Sequence, residues 1–447
     1  MSTLIKDGLV LLKDGRGYKI EKKDILIDGN RIAAVMSEAP PALAFGCDEV
    51  TDAFGKLVMP GLINAHTHAY MSLFRNYADD LEFFDWLDKV QTVEENMTEE
   101  DIYWGTMLSA IEMIKSGTTT FVDMTIKSAK KGAEGGPEAA ACGAVIDSGI
   151  RAVISRGLAG TAGSEESLAK FAQVIGEMDT FSKESRLSFI FGPHAPYSCM
   201  ADYLKKLTAA AKRRGTGQTI HLSESIAEME KMAEDHGMTP IQYVDSLGVF
   251  DVPVIAAHCV NATADDIRIM KEKNVSVAIN PKSNMKLGNG FSPADRFLEA
   301  GINVCIGTDG CGSNNSQNMF AEMNMAALVY KGAAKKAKCI DAEDVIKMAT
   351  ENGAKAIGME GGLGVIAEGA LADIIILDLY EPQFFPSTNI ISGLVYSARG
   401  SEVDTVIIDG RTVMKDRQIL TMNVGRVYSE CEKIADRLGM FGTAQRS

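Results

Sequence analysis

The sequence predicts an α/β fold, a (β/α)8 TIM-like barrel with a small β-sandwich domain formed from both chain ends. Three observations support this prediction. Eight short apolar runs alternate with helical segments in the middle of the chain, as in a parallel sheet covered by helices. Short strand-like runs with Asp-Gly turns occur at both ends. Polar residues follow the apolar runs, at the positions where a barrel carries its active site.

The two chain ends share a pattern of strands and tight turns. Asp14-Gly15 and Asp28-Gly29 interrupt the apolar runs near the N-terminus, and Asp409-Gly410 interrupts "VDTVIIDGRTVM" near the C-terminus. Residues that tolerate positive φ are favoured in such hairpin turns. We therefore expect one β-domain completed by both ends, with two separate β-appendages as the alternative.

These patterns divide the chain into three segments. Residues 1–59 and 360–447 are predicted to form the two parts of the β-sandwich domain, and residues 60–359 the metal-dependent catalytic barrel. The eight strand candidates of the barrel are "LVMPGLINAH", "TTTFVDM", "RAVISRG", "LSFIFGPH", "GQTIHLSE", "PVIAAHC", "VSVAINP" and "NVCIGTDG". Helical candidates such as "EDIYWGTMLSAIEMIKS" and "ADYLKKLTAAAKRR" lie between them.

Composition limits the classes of partner. The 447 residues carry a formal net charge of -15, which opposes binding to nucleic acid or to anionic membrane surfaces. The eight cysteines form no C-x-x-C pair and lie mostly in apolar runs, as expected of reduced thiols in a cytoplasmic protein. No run approaches the ~20 apolar residues of a membrane span, and the N-terminus has no signal-peptide core. A small-molecule substrate is the expected partner.

A metal site is predicted at the C-terminal ends of the strand candidates. His66 and His68 are two residues apart on one strand, so their rings point to the same face. His221 and Asp309, at the ends of two other strands, would complete four ligands around a water molecule. This donor set suits one divalent ion, with Zn²⁺ favoured and Fe²⁺ or Mn²⁺ as alternatives.

Three side chains are candidates for the chemical steps. A metal lowers the pKa of water toward neutrality and so makes a nucleophile available. Asp309 would take the proton of that water, and His258 would orient the water and the developing oxyanion. Glu224, three residues after His221, would deliver a proton to a ring nitrogen or leaving group. Its alternative role is that of an ordinary first-turn helix glutamate.

The motifs "PGLINAHTH", "HLSE", "HCV" and "GTDGCGSNN", in this order and spacing, resemble the amidohydrolase superfamily. Within it the chain is most similar to the cytosine/guanine-deaminase-like branch that contains S-adenosylhomocysteine and 5'-methylthioadenosine deaminases. The resemblance covers nearly the whole chain. It implies a mononuclear metal site with His66, His68, His221 and Asp309 as ligands, and dimers or tetramers are usual among similar proteins.

The resemblance also implies substrate contacts. Trp86 and Glu94 are placed like nucleoside contacts, with Glu94 in the position of a glutamate that holds ribose hydroxyls. Arg156 and His194 resemble residues that face the distal end of the substrate. Ser313 and Asn314, which follow Asp309, are further candidates for contact with the base. From the residues alone, Trp86 would be a half-buried anchor and Glu94 a solvated helix residue.

The predicted function is metal-dependent hydrolytic deamination of an adenine-type nucleoside, with 5'-methylthioadenosine and S-adenosylhomocysteine as first candidates. The presence of Glu224 favours deamination, because an aminated purine needs an acid to protonate the ring and the departing amine. One alternative is hydrolysis of another aminated heterocycle, such as guanine, an oxidised purine, a pterin or a triazine. A more remote alternative is a non-catalytic scaffold with this fold.

Two features depart from the family pattern. A Gly-rich insertion, "SAKKGAEGGPEAA" at residues 128–140, follows the second barrel strand, where loops line the active site. Asn261 after "HCV" replaces a bulkier or aromatic residue. Because loops determine the substrate on this scaffold, both features bear on specificity and leave the metal ligands unaffected.

Overall fold

The computed structural model describes residues 1–15, 17–126 and 136–441. The strands are β1 (Ser2–Asp14), β2 (Gly17–Asp28), β3 (Arg31–Met36), β4 (Glu49–Asp52), β5 (Lys56–Pro60), β6 (Leu62–Thr67), β7 (Thr118–Thr125), β8 (Arg151–Leu158), β9 (Leu187–Phe189), β10 (Gly192–Pro193), β11 (Gln218–Leu222), β12 (Val254–His258), β13 (Ser276–Ile279), β14 (Asn303–Ile306), β15 (Ile374–Asp378), β16 (Val403–Ile408), β17 (Arg411–Lys415) and β18 (Gln418–Ile419).

The helices are α1 (Pro41–Gly46), α2 (Phe83–Glu94), α3 (Glu99–Lys115), α4 (Pro137–Ser148), α5 (Glu165–Thr180), α6 (Ala201–Arg214), α7 (Ile226–His236), α8 (Pro240–Ser246), α9 (Ala264–Glu272), α10 (Pro281–Lys286), α11 (Ala294–Glu299), α12 (Cys311–Asn314), α13 (Met319–Ala334), α14 (Ala342–Ala349), α15 (Glu351–Ala356), α16 (Ile390–Tyr396) and α17 (Val424–Arg437). Short 3-10 helices occur at Ala69–Phe74, Val249–Asp251 and Pro382–Phe384.

Both chain ends contribute to one nine-stranded sheet. Its strand order is β18-β17-β16-β15-β5-β1-β2-β3, with β4 paired to β1. The central strand β5 joins the two ends, because Leu57 pairs with Leu9 of β1 in parallel and Met59 pairs with Ile375 of β15 in antiparallel register. The prediction of one joint β-domain is thereby confirmed over two separate appendages. The domain boundaries after residues 59 and 359 stay predictions.

The remaining strands form the barrel wall in two parallel sheets. One has the order β10-β8-β7-β6, with β9 beside β8, and the other has the order β11-β12-β13-β14. A parallel bridge between Phe191 and Gln218 links the two sheets on one side. On the other side the backbone N–H of Asp309 donates to the carbonyl of His66 at 2.9 Å. This second bond connects the segment after β14 to β6, and so brings two predicted metal ligands together.

Two predicted strands are divided in the structure. The run "LVMPGLINAH" splits at Gly61 into β5, which belongs to the nine-stranded sheet, and β6, which belongs to the barrel. A Cβ atom at Gly61 would lie 2.1 Å from Oγ1 of Thr119, so only glycine fits this close approach. The run "LSFIFGPH" forms the two short strands β9 and β10.

Hydrogen-bonded caps mark where several helices begin. Thr98 and Asp101 form a capping box at the start of α3, and Thr263 and Asp266 form another at the start of α9. These caps satisfy N–H groups that have no partner inside the helix. In the described part of the chain, no helix combines the length and apolar character needed to cross a membrane.

A buried charge network holds the barrel against the nine-stranded sheet. Arg151, the first residue of β8, donates through Nε to Asp373 at 2.8 Å and through Nη2 to Asp409 at 3.0 Å. Burial by itself would lower the pKa of Arg151, but the two carboxylates raise it above its ordinary value. The guanidinium therefore stays charged while it links the barrel to the C-terminal strands.

Candidate active site

Four histidines and an aspartate meet at one rim of the barrel. His66 and His68 lie at the end of β6, His221 on β11, His258 at the end of β12, and Asp309 beyond β14. The ring centroids of His66 and His68 lie 4.9 Å and 5.3 Å from that of His221. All five side chains are buried. The structure thus brings together the predicted ligands and the residue predicted to orient water.

Backbone carbonyls orient two of these imidazoles. Nδ1 of His68 donates to the carbonyl of Met124 at 2.6 Å, and Nδ1 of His221 donates to the carbonyl of His194 at 2.7 Å. With Nδ1 protonated, each Nε2 carries a lone pair, yet the two Nε2 atoms face each other at 3.2 Å. Neither atom can donate to the other in this tautomer. The pair is arranged to bind a cation.

Asp309 completes the donor set. Its Oδ1 lies 3.4 Å from Nε2 of His68 and 3.6 Å from Nε2 of His66. Its Oδ2 accepts hydrogen bonds from the hydroxyls of Ser283 and Ser313, each at 2.7 Å. Burial alone would raise the pKa of Asp309, but the neighbouring histidines and Ser283 bring it well below its usual range. The carboxylate is therefore ionised when it faces the imidazoles.

The donors fit one divalent metal ion. Both ring nitrogens of His66 are buried without a hydrogen-bond partner among the described residues, and a metal ion would occupy one of them. Burial holds the pKa of His66, His68 and His221 below the ordinary histidine value, so the rings are neutral ligands. Donor atoms of His66, His68 and His221 lie within 4.8 Å of one another, as do those of His66, His258 and Asp309. Imidazole and carboxylate donors that are held in place by further hydrogen bonds to the protein are typical of catalytic zinc.

His258 lies beside this set with a constrained backbone. Its φ is 73°, a conformation that is unfavourable for a non-glycine residue, and the hydroxyl of Ser292 donates to its carbonyl at 2.7 Å. Nδ1 of the ring lies 2.9 Å from Oδ1 of Asn284. Donation from Nδ1 to Asn284 leaves Nε2 as an acceptor. This tautomer suits a residue that receives a hydrogen bond from a water molecule.

Glu224 lies beside His258 at the end of β11. Its Oε1 is 3.7 Å from Nδ1 of His258 and accepts a hydrogen bond from Nδ2 of Asn289 at 3.1 Å. The backbone N–H of Glu224 donates to the Glu228 carboxylate at 2.7 Å. Burial, with Asp309 nearby, raises the pKa of Glu224 well above its ordinary value. A carboxyl that retains its proton near neutral pH can act as a general acid.

A cavity opens from the metal donors toward helix α2. His68, His221, His258, Asp309 and Glu224 line its inner end, and α2 contributes Phe83, Trp86, Leu87, Val90, Gln91 and Glu94. The remaining lining is largely apolar and includes Met71, Met124 and Ile126. A mostly apolar cavity with a few polar groups at its inner end is typical of a small-molecule site.

Three of the predicted substrate contacts line this cavity. Trp86 donates through its indole N–H to the carbonyl of Gly312 at 2.9 Å, so its polar end is occupied by the protein. Glu94 accepts from the hydroxyl of Tyr70 at 2.5 Å, and is buried rather than solvated. His194 is held by a 2.9 Å hydrogen bond between its Nδ1 and the hydroxyl of Ser198. Their contacts with a substrate stay predictions.

The other three predicted contacts are absent from the described residues that line the cavity. Arg156 is turned into the barrel wall, where its guanidinium binds Glu138, Glu177 and Gln173. The hydroxyl of Ser313 donates to the Asp309 carboxylate. Both side chains bind other groups of the protein in this structure, and their contacts with a substrate stay predictions.

Asn314 has a similar, inward-facing arrangement. Its Nδ2 donates to the carbonyl of Thr308 at 2.5 Å and to the Glu322 carboxylate at 2.8 Å. The side chain therefore fixes the turn that carries Asp309. The Oδ1 atom of Asn314 is buried without a hydrogen-bond partner among the described residues, and contact of Asn314 with the base stays a prediction.

The structure describes Asn261 but only the last part of the Gly-rich insertion. Nδ2 of Asn261 donates to the carbonyl of Glu224 at 3.0 Å, so this departure from the family pattern supports the backbone of the predicted acid. Residues 128–135 of the insertion lie outside the described residues. The last part of the insertion, from Pro137, begins helix α4.

Sequence reasoning did not identify several residues of the site. Tyr70 contacts Glu94, Asn289 contacts Glu224, and Ser283 contacts Asp309. Ser283 and Asn284 follow a predicted barrel strand in "NPKSN", and polar residues after such a strand are a signal that could have found them. Tyr70 and Asn289 carry no comparable signal, because their partners are distant in sequence.

The barrel, the converging neutral imidazoles and the adjacent carboxyl define a metal-dependent hydrolase. Residues 57–413 match the description "Amidohydrolase family". The match covers most of the chain, and the protein belongs to this family.

Known proteins are similar to the chain over almost its full length. A 5-methylthioadenosine/S-adenosylhomocysteine deaminase of Caldanaerobacter subterraneus subsp. tengcongensis is 43% identical, with 98% of this chain and 99% of that protein covered. A 5'-deoxyadenosine deaminase of Methanocaldococcus jannaschii is 41% identical, with 94% and 97% covered. The crystal structure of an adenosine deaminase from Xanthomonas campestris with bound zinc has a TM-score of 0.89 and 29% identity, with 98% of this chain and 99% of that chain covered.

Proposed function

We propose that the protein is a metal-dependent hydrolytic deaminase of adenine-type nucleosides that releases ammonia. The observation that carries the proposal is the position of Glu224, a buried carboxyl with a raised pKa at the inner end of a cavity shared with the metal donors. Relatives named as deaminases of adenosine derivatives support the same reaction. 5'-Methylthioadenosine, S-adenosylhomocysteine and 5'-deoxyadenosine are the first substrates to test.

The proposed cofactor is one zinc ion held by His66, His68, His221 and Asp309, as a similar adenosine deaminase contains zinc. When bound, such an ion lowers the pKa of water and so supplies the nucleophile near neutral pH. Asp309 is ionised and accepts the proton of the attacking water, while Nε2 of His258 orients that water. The serines that hold Oδ2 of Asp309 keep Oδ1 directed toward the imidazoles.

Glu224 acts on the purine. Its carboxyl proton passes to the ring nitrogen next to the amino-bearing carbon as the water oxygen bonds to that carbon, which gives a tetrahedral intermediate. Asp309 then gives the proton it took from water to the amino group, the C–N bond breaks and ammonia leaves, while the remaining hydroxyl proton returns to the Glu224 carboxylate as the carbonyl forms. Asn289 and the bond from the Glu224 backbone to Glu228 hold the acid in place during both transfers.

The outer part of the cavity is proposed to hold the nucleoside. The ring of Trp86 offers an apolar face, because its N–H already donates to Gly312. Glu94 is a buried acceptor on α2 and is proposed to accept hydrogen bonds from ribose hydroxyls, while His194 contacts the sugar from the strand side. Arg156 is not among the described residues that line the cavity and pairs with Glu138 and Glu177, so its contact with the distal end of the substrate stays a prediction.

Ammonia release by zinc-loaded protein tests the reaction. Activity on 5'-methylthioadenosine, S-adenosylhomocysteine, 5'-deoxyadenosine and adenosine should exceed activity on guanine and a pterin. Glu224→Gln should lower kcat by about 10²- to 10⁴-fold while metal content is retained. Turnover of free bases alone would favour the second candidate, a deaminase of another heterocycle, and full activity of the variant would contradict the role of Glu224.

The state of the cysteines supports the proposal of a cytoplasmic location. All eight are free thiols, and six are buried, as in a protein of a reducing cytoplasm. A homo-oligomer is also proposed, because dimers or tetramers are usual among similar proteins. Sedimentation equilibrium measures the number of subunits directly.

A further inference from the structure

Tyr70 connects the metal-binding strand to the nucleoside end of the cavity. It lies two residues after His68 in the 3-10 helix Ala69–Phe74, and it is 3% exposed. Its hydroxyl donates to Oε1 of Glu94 at 2.5 Å, and both side chains line the cavity. Tyr70 therefore connects the segment after β6, which carries the predicted metal ligands His66 and His68, to helix α2.

The backbone at Tyr70 is fixed on several sides. The N–H of Ala69 donates to Oδ1 of Asp123 at 2.7 Å, and the hydroxyl of Ser109 donates to the carbonyl of Ala69 at 2.7 Å. Gly105 of α3 packs against the carbonyl of Tyr70, where a Cβ atom would lie only 2.5 Å from the oxygen. The phenol ring is thus held at a constant position relative to His68.

The chemistry of the pair limits what it can bind. A carboxylate accepts hydrogen bonds and cannot donate them, and the Tyr70 hydroxyl gives its one proton to Glu94. Toward the cavity the pair therefore offers acceptors. A ligand with hydroxyl groups can donate hydrogen bonds to these acceptors, whereas a ligand without hydroxyls forms no such bonds.

We propose that Tyr70 is a positioning residue that fixes Glu94 for recognition of the vicinal 2'- and 3'-hydroxyls of a ribose, and so sets the preference of the enzyme for nucleosides with both hydroxyls over 2'- or 3'-deoxynucleosides. This inference rests on the proposed function, because it assumes a nucleoside in the cavity. It adds a residue that determines sugar specificity without contributing to the metal donors or to proton transfer.

Tyr70→Phe removes the hydroxyl and keeps the ring. We expect KM for adenosine to rise about tenfold, the equivalent of one charge-assisted hydrogen bond, with kcat changed much less. The ratio of kcat/KM for adenosine to that for 2'-deoxyadenosine and 3'-deoxyadenosine should fall by a similar factor. Tyr103→Phe is the matched control, since it removes a tyrosine–carboxylate hydrogen bond to Asp147 outside the cavity and should leave this ratio unchanged.

A double-mutant cycle with Glu94 distinguishes a positioning role of Tyr70 from a general loss of structure. In a double-mutant cycle, Tyr70→Phe combined with Glu94→Gln should weaken adenosine turnover no further than Glu94→Gln alone, because the tyrosine acts through the glutamate. Calorimetric titration with inosine and 2',3'-dideoxyinosine measures the same preference without turnover. Wild-type protein should favour inosine, and Tyr70→Phe should reduce that difference.

Each result decides for or against the inference. An unchanged sugar preference in Tyr70→Phe, or additive losses in the double variant, would overturn it while leaving the deaminase function intact. An equal loss on all substrates with a lowered melting temperature would assign Tyr70 a structural role only. Wild-type protein that neither deaminates adenosine nor binds inosine would overturn the proposed function together with this inference.

Discussion

Asn289 donates a hydrogen bond from Nδ2 to Oε1 of Glu224 at 3.1 Å, across the rim of the barrel from the segment after α10 to the end of β11. The two residues are 65 positions apart in the chain. The contact gives the proposed proton donor a fixed orientation beside His258, and it makes Asn289 a supporting residue of the reaction.

Asn289→Ala should reduce kcat about tenfold, because Glu224 loses the hydrogen bond that Asn289 donates to it. KM should change little, because the outer part of the cavity is unaltered. Steady-state kinetics on the best nucleoside substrate checks this. Asn324→Ala is the matched control, since Asn324 donates to the carbonyls of Val395 and Tyr396 away from the cavity. A variant at position 289 with the full wild-type kcat would contradict the prediction.

Removal of the metal should lower the melting temperature. Chelation leaves the neutral nitrogens of His66, His68 and His221 converging without a ligand, and a ligand at 100 times its Kd stabilises a protein by about 2.7 kcal/mol. Scanning calorimetry before chelation, after chelation and after addition of zinc measures the effect. His221→Ala should abolish the response to zinc, whereas His236→Ala, outside the predicted ligand set, should retain it. Equal melting temperatures with and without metal would argue against this donor set.

Arg151→Met should lower the free energy of unfolding by about 3 to 5 kcal/mol, because it leaves the buried carboxylate of Asp373 and the half-buried carboxylate of Asp409 without their cation. Denaturant titration measures the loss. Arg268→Met is the matched control, since Arg268 forms ion pairs at an exposed position on α9 and should change stability by less than about 1 kcal/mol. A loss as small as that of the control would show that the network contributes little.

Stability should depend on pH through Glu177. Burial raises its pKa to about 9 from an ordinary value of 4.5, with Glu138 adding to the shift and Arg156 opposing it. The folded state then binds the proton more tightly than the unfolded state, so this contribution is present below pH 4.5 and is lost as pH rises toward 9.

Glu177→Gln removes that titration. The variant should match the wild type near pH 5 and exceed its free energy of unfolding by about 1 kcal/mol or more near pH 8.5. Urea unfolding at both pH values measures the difference. Glu166→Gln, an exposed glutamate on the same helix, is the control and should show no comparable pH dependence. A constant difference between wild type and Glu177→Gln at the two pH values would contradict the assignment.

Much of the fold could be predicted from local patterns. The apolar runs of the barrel are short and periodic, so most of β6 to β14 coincide with predicted strands. The division of "LVMPGLINAH" was missed, because the break at Gly61 depends on contact with Thr119 in a different strand. Spacing along one run carries no information about such a neighbour.

Part of the candidate site could also be predicted from these local patterns. His66, His68, His221, His258 and Asp309 all follow apolar runs, and parallel strands bring such positions to one rim. From the residues alone Glu94 was expected to be solvated, and only the structure shows it on the buried face of α2 with Trp86, Val90 and Val93. The roles of these side chains stay predictions that the experiments above test.

By itself the sequence predicted the barrel and the convergence of the metal donors from residue type and periodicity along the chain, and the class of reaction from the resemblance of its motifs to a known family. Only the tertiary structure decided the partners of individual polar atoms. It turns Arg156 toward Glu138 and Glu177, and it places Tyr70 on Glu94 and Asn289 on Glu224. These pairings join segments far apart in sequence, and their geometry exists only once the strands and helices have packed.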